Sequence, residues 1–234
     1  MKNNYLNVFT KTFENILEAN NVIHCSNDES FAFFVFHQFI KHPRQYIIVL
    51  DNLLSCQELY DKLSRLLNGK VFMYCVDEVT KFTSLATSPE MLSLRIYILN
   101  KLLEDEPMIV VTHTMAITRY VPSKEIFLSL SKVISLNDEC ELLPLIQHLI
   151  HIGYKNVLKV TQPFEYSYRG GVIDIFSINY DKPFRIEFFD KYVDSIRFFD
   201  VDTQRTLHVT NSVKIIPATE FLVNDVKSGV LKIK

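Results

Sequence analysis

The chain has 234 residues, 48% of them hydrophobic, with a formal net charge of −2. That length holds two compact domains or one large one, and charges of both signs in ordinary proportion fit a soluble globular protein. From Thr161 to the end, ten Lys/Arg stand against ten Asp/Glu, so the basic surplus by which a fragment grips nucleic acid is missing. The opening MKNNYLNVF has no continuous apolar stretch or small-residue cleavage site, so it does not read as a secretory signal. No apolar run approaches the roughly 18–20 residues needed to cross a bilayer. Cys25, Cys56, Cys75 and Cys140 are widely spaced and read as small buried hydrophobes in a reducing compartment. A cytoplasmic location without membrane attachment is the expectation.

The first half alternates strand-like and helix-like segments. Asn21–Ser26 is a short strand candidate. Glu29–Lys41 follows as an apolar helix, with Asn27 and Asp28 as capping candidates. Gln45–Asp51 reads as a buried strand and Leu53–Leu67 as an amphipathic helix. Gly69 stands just past that helix, where a C-terminal glycine belongs. Val71–Val76 is a third strand, Pro89–Asp105 a long helix and Pro107–Thr112 a fourth strand. This alternation predicts a mostly parallel, doubly wound α/β sheet. The segment VPSK at Val121–Lys124 interrupts the pattern and marks a boundary. Beyond it come Lys132–Leu136 and a helix over Asp138–Ile152 that ends at Gly153. Asn137 is its expected N-cap, with Asp138, Glu139 and Glu141 in its first turn.

From Phe164 to Leu207 the pattern changes to short antiparallel strands. Val172–Ile178, Phe184–Asp190 and Tyr192–Asp200 are rich in β-branched and aromatic residues. Period-two alternation sends Phe184, Ile186 and Phe188 to a core face, and Arg185, Glu187 and Phe189 to the other. A large ring at Phe189 thus stands where water is expected. Two of the five glycines, Gly170 and Gly171, directly follow Arg169. The pair fits a tight turn or bulge that aims Arg169 outward, and equally an ordinary hairpin with a solvated arginine. Arg197 and Phe199 repeat the arginine-and-aromatic pairing on the next strand.

The strings Y-R-G-G-V-I-D-I-F, P-F-R-I-E-F-F-D and D-S-I-R-F-F-D-x-D-T-Q-R-T-L resemble the bacterial transcription-repair coupling factors. The resemblance is to the N-terminal module that this family shares with the excinuclease subunit UvrB, and the Q-R-T ending favours the coupling factor. Upstream, SPEMLSLRIYILNKLL followed by IVVTHTMAITRYVP is similar to the family's S-P-x-x-x-x-x-R-x-x-x-L-x-x-L, strand, T-x-x-A pattern, with Arg95 at its arginine. The resemblance implies a UvrB-like α/β domain over about 1–120, then a smaller α+β domain with an antiparallel sheet over 121–210. Residues 211–234 then begin a return to the first domain, and the chain reads as a piece of a larger protein.

Catalytic constellations are weak. A P-loop needs glycines to cradle phosphate and a lysine beside Ser/Thr. After the first strand candidate the chain reads CSNDESFAFF, with no glycine before Gly69 and no lysine between Lys11 and Lys41. Asp28 and Glu29 would repel phosphate there. UvrB has a working P-loop at the corresponding place, and the coupling factors have lost it. His148 and His151 lie one helical turn apart, but no further metal ligands accompany them. His113 after a buried strand lacks a nucleophile motif and reads as structural or solvated. Asp174, Glu187 and Asp190 lie among arginines, where ion pairing or solvation explains them best. No cofactor, metal or catalytic residue is expected, and the alternative of a nucleotide-dependent UvrB- or helicase-type fragment rests on fold class alone.

What the resemblance implies instead is an interaction module that recruits UvrA through its second domain in nucleotide excision repair. RNA polymerase and DNA would be engaged by other domains of the full-length, ATP-driven translocase, in which this surface is masked at rest. When R-G-G and R-I-E-F-F are laid on this chain, the family's UvrA-contacting residues fall at Arg169, Arg185 and Phe189. Arg197 and Phe199 are secondary candidates, and the piece by itself is expected to be a monomer.

Overall fold

A computed structural model of the chain describes Cys25 and residues 27–76 and 89–222. Internal contacts divide the chain into two units, Met1–Ser88 with Glu104–Arg119, and Pro89–Leu103 with Tyr120–Lys234. The strand expected over Asn21–Ser26 lies, apart from Cys25, outside the described residues.

In the first unit, two asparagines start the helices. Asn27 Oδ1 accepts the Ser30 N–H at 2.8 Å and opens α1 (Asp28–Lys41). Asn52 Oδ1 accepts the Ser55 N–H at 2.9 Å and opens α2 (Leu53–Leu66). Each side chain satisfies a backbone donor that has no carbonyl partner inside its helix. Strands β1 (Tyr46–Leu50), β2 (Val71–Tyr74) and β3 (Ile109–His113) form a parallel sheet in the order β1-β3-β2. β3 is central and every residue in it is buried, the uninterrupted apolar reading of a strand covered on both faces. Cys56 and Cys75 are buried here, and burial, helped by the neighbouring Cys56, pushes the Cys75 thiol up to about 12.

The second unit begins earlier than the sequence suggests. Helix α3 (Pro89–Leu102) was expected in the first domain, yet its Ile96 is buried with Phe127, Ile216 and Leu222, and Leu92 and Leu99 pack against the same cluster. Arg95 on this helix is 1% exposed and forms a bidentate pair with Glu220, Nε–Oε1 2.6 Å and Nη2–Oε2 3.0 Å. A guanidinium buried that deeply needs a carboxylate, and Glu220, which supplies one, lies 125 residues downstream. After α4 (Lys124–Leu130) comes β4 (Lys132–Ser135), which pairs antiparallel with β11 (Ser212–Ile215). Ala218 then closes the core. Residues 212–222 therefore complete the second unit, where the sequence reading had them returning to the first domain.

The helix expected over Asp138–Ile152 also starts late, as α5 (Leu142–His151). Asn137 has φ 67°, and Asp138 Oδ2 accepts the Ser135 N–H at 2.7 Å, closing a turn. Glu139 bridges to Tyr192. Local side-chain bonding thus diverts these residues from helix.

The main sheet contains β5 (Lys155–Asn156), β6 (Glu165–Arg169), β7 (Val172–Ile175), β8 (Phe184–Phe189), β9 (Tyr192–Phe199) and β10 (Thr206–Val209) in the order β10-β9-β8-β7-β6-β5. All pairs are antiparallel except β5 with β6. The chain is thus a mixed α/β protein with parallel and antiparallel sheets. One face of the main sheet buries Tyr166, Ile173, Ile175, Phe184, Ile186 and Ile196 against Leu145, Leu149 and Ile152. Phe188, expected in the same row, is only half-buried. The register shifts between Glu187 and Phe188, where Asp194 has no partner across the pair, and Phe188 packs at the margin of the core.

Phe184→Ala should cost about 3–5 kcal/mol, as for a fully buried aromatic. Phe189→Ala, at a ring 78% exposed, should stay within about 0.5 kcal/mol, with Phe188→Ala between them. Urea denaturation of the three variants checks the order, and equal losses would contradict this register.

Candidate functional site

The outward face of the main sheet is built in cross-strand rows. Pairing sets Ser167 beside Asp174, Asp174 beside Arg185 and Arg185 beside Arg197. The neighbouring row runs Arg169, Val172, Glu187, Ser195. Two arginines directly opposite one another would repel, and each turns to a different carboxylate. Arg185 takes Asp174 in a two-pronged pair, Nε–Oδ1 2.6 Å and Nη2–Oδ2 2.7 Å. Arg197 reaches diagonally to Glu187, whose Oε2 also accepts the Ser195 hydroxyl at 2.9 Å.

This arrangement tunes the charges. The Asp174 carboxylate raises the Arg185 guanidinium further above its ordinary value, against the opposing effect of burial. Burial acts to raise the Glu187 carboxyl, but bonds from Ser195 and Arg197 overcome it and hold the group below the ordinary range. Arg185 also lies over the Phe199 ring, 4.8 Å from its centroid, and donates to Gln204 Oε1 at 3.3 Å.

Arg169 sits at the end of β6, exposed, beside a hairpin tip whose Gly170 has φ +58°. Gly171 is needed for another reason. A Cβ there would meet the Phe188 carbonyl oxygen at 3.1 Å, and Gly171 O accepts the Phe188 N–H at 2.8 Å. The glycine pair therefore draws the β6–β7 tip close to β8, next to Phe189.

A groove of about 440 Å³ opens on this face, lined by Leu158, Lys159, Arg169, Val172, Asp174 and Arg185, among others. Two residues singled out from sequence, Arg169 and Arg185, thus share one concavity. Phe189 projects from the same face of β8, two residues beyond Glu187, outside the groove lining and 78% exposed. Arg197 is occupied by Glu187. Phe199 is 1% exposed beneath Arg185, so as a contact residue it is corrected to a support for that guanidinium.

Among the groove residues that sequence reading gave no role are Gln204, Leu158 and Lys159. Gln204 was quoted as the first letter of Q-R-T without a role, and its side chain caps the Arg185 pair. Leu158 and Lys159 carry no motif and come to the groove only because β5 lies beside β6.

The loop that carries them is pinned at both ends. Val157 N–H donates to Tyr166 O at 2.9 Å, and the Ser167 hydroxyl donates to Leu158 O at 3.1 Å. Glu165 Oε2 accepts the N–H groups of Thr161 and Gln162 at 2.8 and 3.1 Å. Burial alone would raise the Glu165 carboxyl, but those donors together hold it below the ordinary value.

The other sequence candidates are accounted for structurally. His113 is fully buried with Nε2 3.2 Å from both N and O of Val76. Burial lowers the His148 imidazole, as do Lys132 and His151. Among the described residues no group of three or more His, Cys, Asp or Glu side chains is arranged to hold a metal. None of their helices is long and apolar enough to cross a membrane.

The family described as "UvrB interaction domain" matches residues 133–221, a span that holds the whole main sheet with its arginine-lined outward face and exposed Phe189. The chain is 36% identical over 177 residues to the transcription-repair-coupling factor of Bacillus subtilis (strain 168), covering 75% of this chain and 15% of that protein. It is 27% identical over 195 residues to that of Staphylococcus epidermidis (strain ATCC 12228 / FDA PCI 1200), covering 83% and 17%. With that of Staphylococcus aureus (strain NCTC 8325 / PS 47) it shares 24% over 209 residues, covering 89% and 18%. The chain belongs to the UvrB-like module of the transcription-repair-coupling factor family. It spans about a sixth of the length of these relatives.

Because Glu165 and Glu187 bind protons less readily folded than unfolded, the stability they add is complete above the unfolded glutamate value, about 4.3. It is lost as pH falls through their depressed folded values. Melting temperature should therefore hold between pH 7 and about 5 and fall below about 4, and Glu187→Gln should remove part of that fall. Thermal melts across this range test it, and an identical acid slope in the variant would contradict the role assigned to Glu187.

Proposed function

We propose that this chain is the module by which a transcription-repair coupling factor engages UvrA and brings the excision machinery to stalled transcription. The observation that carries this reading is the outward face of the main sheet, where Arg169 and Arg185 line one groove and Phe189 projects from the same face of β8, all inside the matched interaction domain. A protruding aromatic beside arginines has the composition of an interface hot spot: the ring supplies buried area and the guanidinium a forked donor. Phe189 serves as the anchor. Arg185 is pre-organised by Asp174, Gln204 and Phe199, so little side-chain freedom is lost when a partner binds. Arg169 is the exposed cation, and Arg197 acts through Glu187 as a positioning group.

The protein works in the cytoplasm, and RNA polymerase and DNA are contacted by other parts of the full-length chain, which carries the ATP-driven motor. The first unit is a UvrB-like, doubly wound domain whose nucleotide site has been lost. Support for that loss lies at the N-terminus of α1, where Asn27 already fills the cap and the Asp28 and Glu29 carboxylates stand in the first turn. Lys62 is paired there with Glu29 at 3.0 Å.

Calorimetric titration with UvrA from the same organism should show binding by the wild-type chain. Arg169→Ala, Arg185→Ala and Phe189→Ala, each verified as folded, should each weaken it by about 2 kcal/mol or more, roughly thirtyfold. Wild-type affinity in all three would overturn the assignment. Titration with Mg·ATP should show neither heat of binding nor a thermal shift, and micromolar affinity would revive a nucleotide-dependent reading.

A further inference from the structure

Leu158 is 95% exposed, more than any other large hydrophobic among the described residues. Single exposed leucines are ordinary on protein surfaces, but three observations set this one apart. Its backbone is held: Val157 N–H and Leu158 O are both bonded to β6, and Val160, two residues on, is 1% exposed in the interior. A side chain presented to water on so fixed a backbone loses little freedom when it is covered. It also stands on the lip of the groove that Arg169 and Arg185 line, on the wall opposite β8. Third, the adjacent Lys159 lines the same groove.

The charges in the groove indicate what enters it. Arg185 is answered by Asp174, whereas Lys159 and Arg169 make no ion pair among the described residues. Two uncommitted cations therefore flank an apolar knob, and the complementary occupant is a protein segment with carboxylates beside an exposed apolar patch.

Resting on the UvrA reading above, we infer that Leu158 and Lys159 form a second wall of the same contact surface. Leu158 seats in an apolar hollow of UvrA and Lys159 faces a carboxylate next to it. The interface thus extends across β6 to the β5–β6 loop and does not stop at the Arg169–Arg185–Phe189 edge. The groove between the walls receives an acidic segment of the partner, in register with Arg169.

Both side chains are exposed, so Leu158→Asp and Lys159→Glu should leave the melting temperature of the chain unchanged. In titrations with UvrA, Leu158→Asp should weaken binding at least tenfold at any salt concentration. Lys159→Glu should weaken it several-fold at 50 mM salt, and the difference should vanish near 0.5 M, where charges at this range are screened. If the wild-type chain binds UvrA and both variants match its affinity, the second wall is wrong while the UvrA reading stands. If the wild-type chain does not bind UvrA, both fail.

Discussion

A slip of one residue in β8 would turn Phe184 and Ile186 into water and force Arg185 and Glu187 into the core. The second unit depends on that register. It is specified from both sides of the sheet. Inside, Phe184 and Ile186 are fully buried among Ile173, Ile175, Ile196 and Tyr166. Outside, the Asp174–Arg185 and Glu187–Arg197 pairs form only when β7, β8 and β9 are aligned as they are. Ion pairs this near the surface add little stability individually. Their greater effect is to fix which arginine faces which carboxylate.

The same alignment divides the arginines by task. Arg197 and Arg185 stand opposite each other, so each must be neutralised from a different direction, and the outcome is one rigid, half-buried guanidinium and one that braces Glu187. Arg169, at the hairpin tip, has no carboxylate across from it, because its partner on β7 is Val172. The exposed positive charge of the face therefore lies at its edge, towards Lys159, and not at its centre.

The second unit is also closed from a distance. Arg95 and Glu220 are almost fully buried and pair only with α3 against the segment after β11. Losing a charge partner at such depth costs far more than the pair itself contributes to stability. The ion pair thus acts as a specificity device, committing a helix that precedes β3 in the chain to the unit that follows it.

Local chemistry was legible in the sequence. Alternation in Phe184–Phe189 told the two faces apart, Asn27 announced its helix, the acidic glycine-free loop argued against phosphate, and the R-G-G and R-I-E-F-F strings led to the family. These are properties of neighbours a few residues apart, where the periods 2 and 3.6 and the capping rules operate. Tertiary structure decided what depended on remote partners. Whether α3 joined the first unit or the second rested on a carboxylate 125 residues away. Phe188 packs against the core but is only partly covered beside a bulge on the opposite strand, and Phe199 disappeared beneath Arg185. Leu158 joined the site because β5 happens to lie beside β6. No local pattern encodes such pairings, since each is selected by burial and charge balance across the assembled sheet.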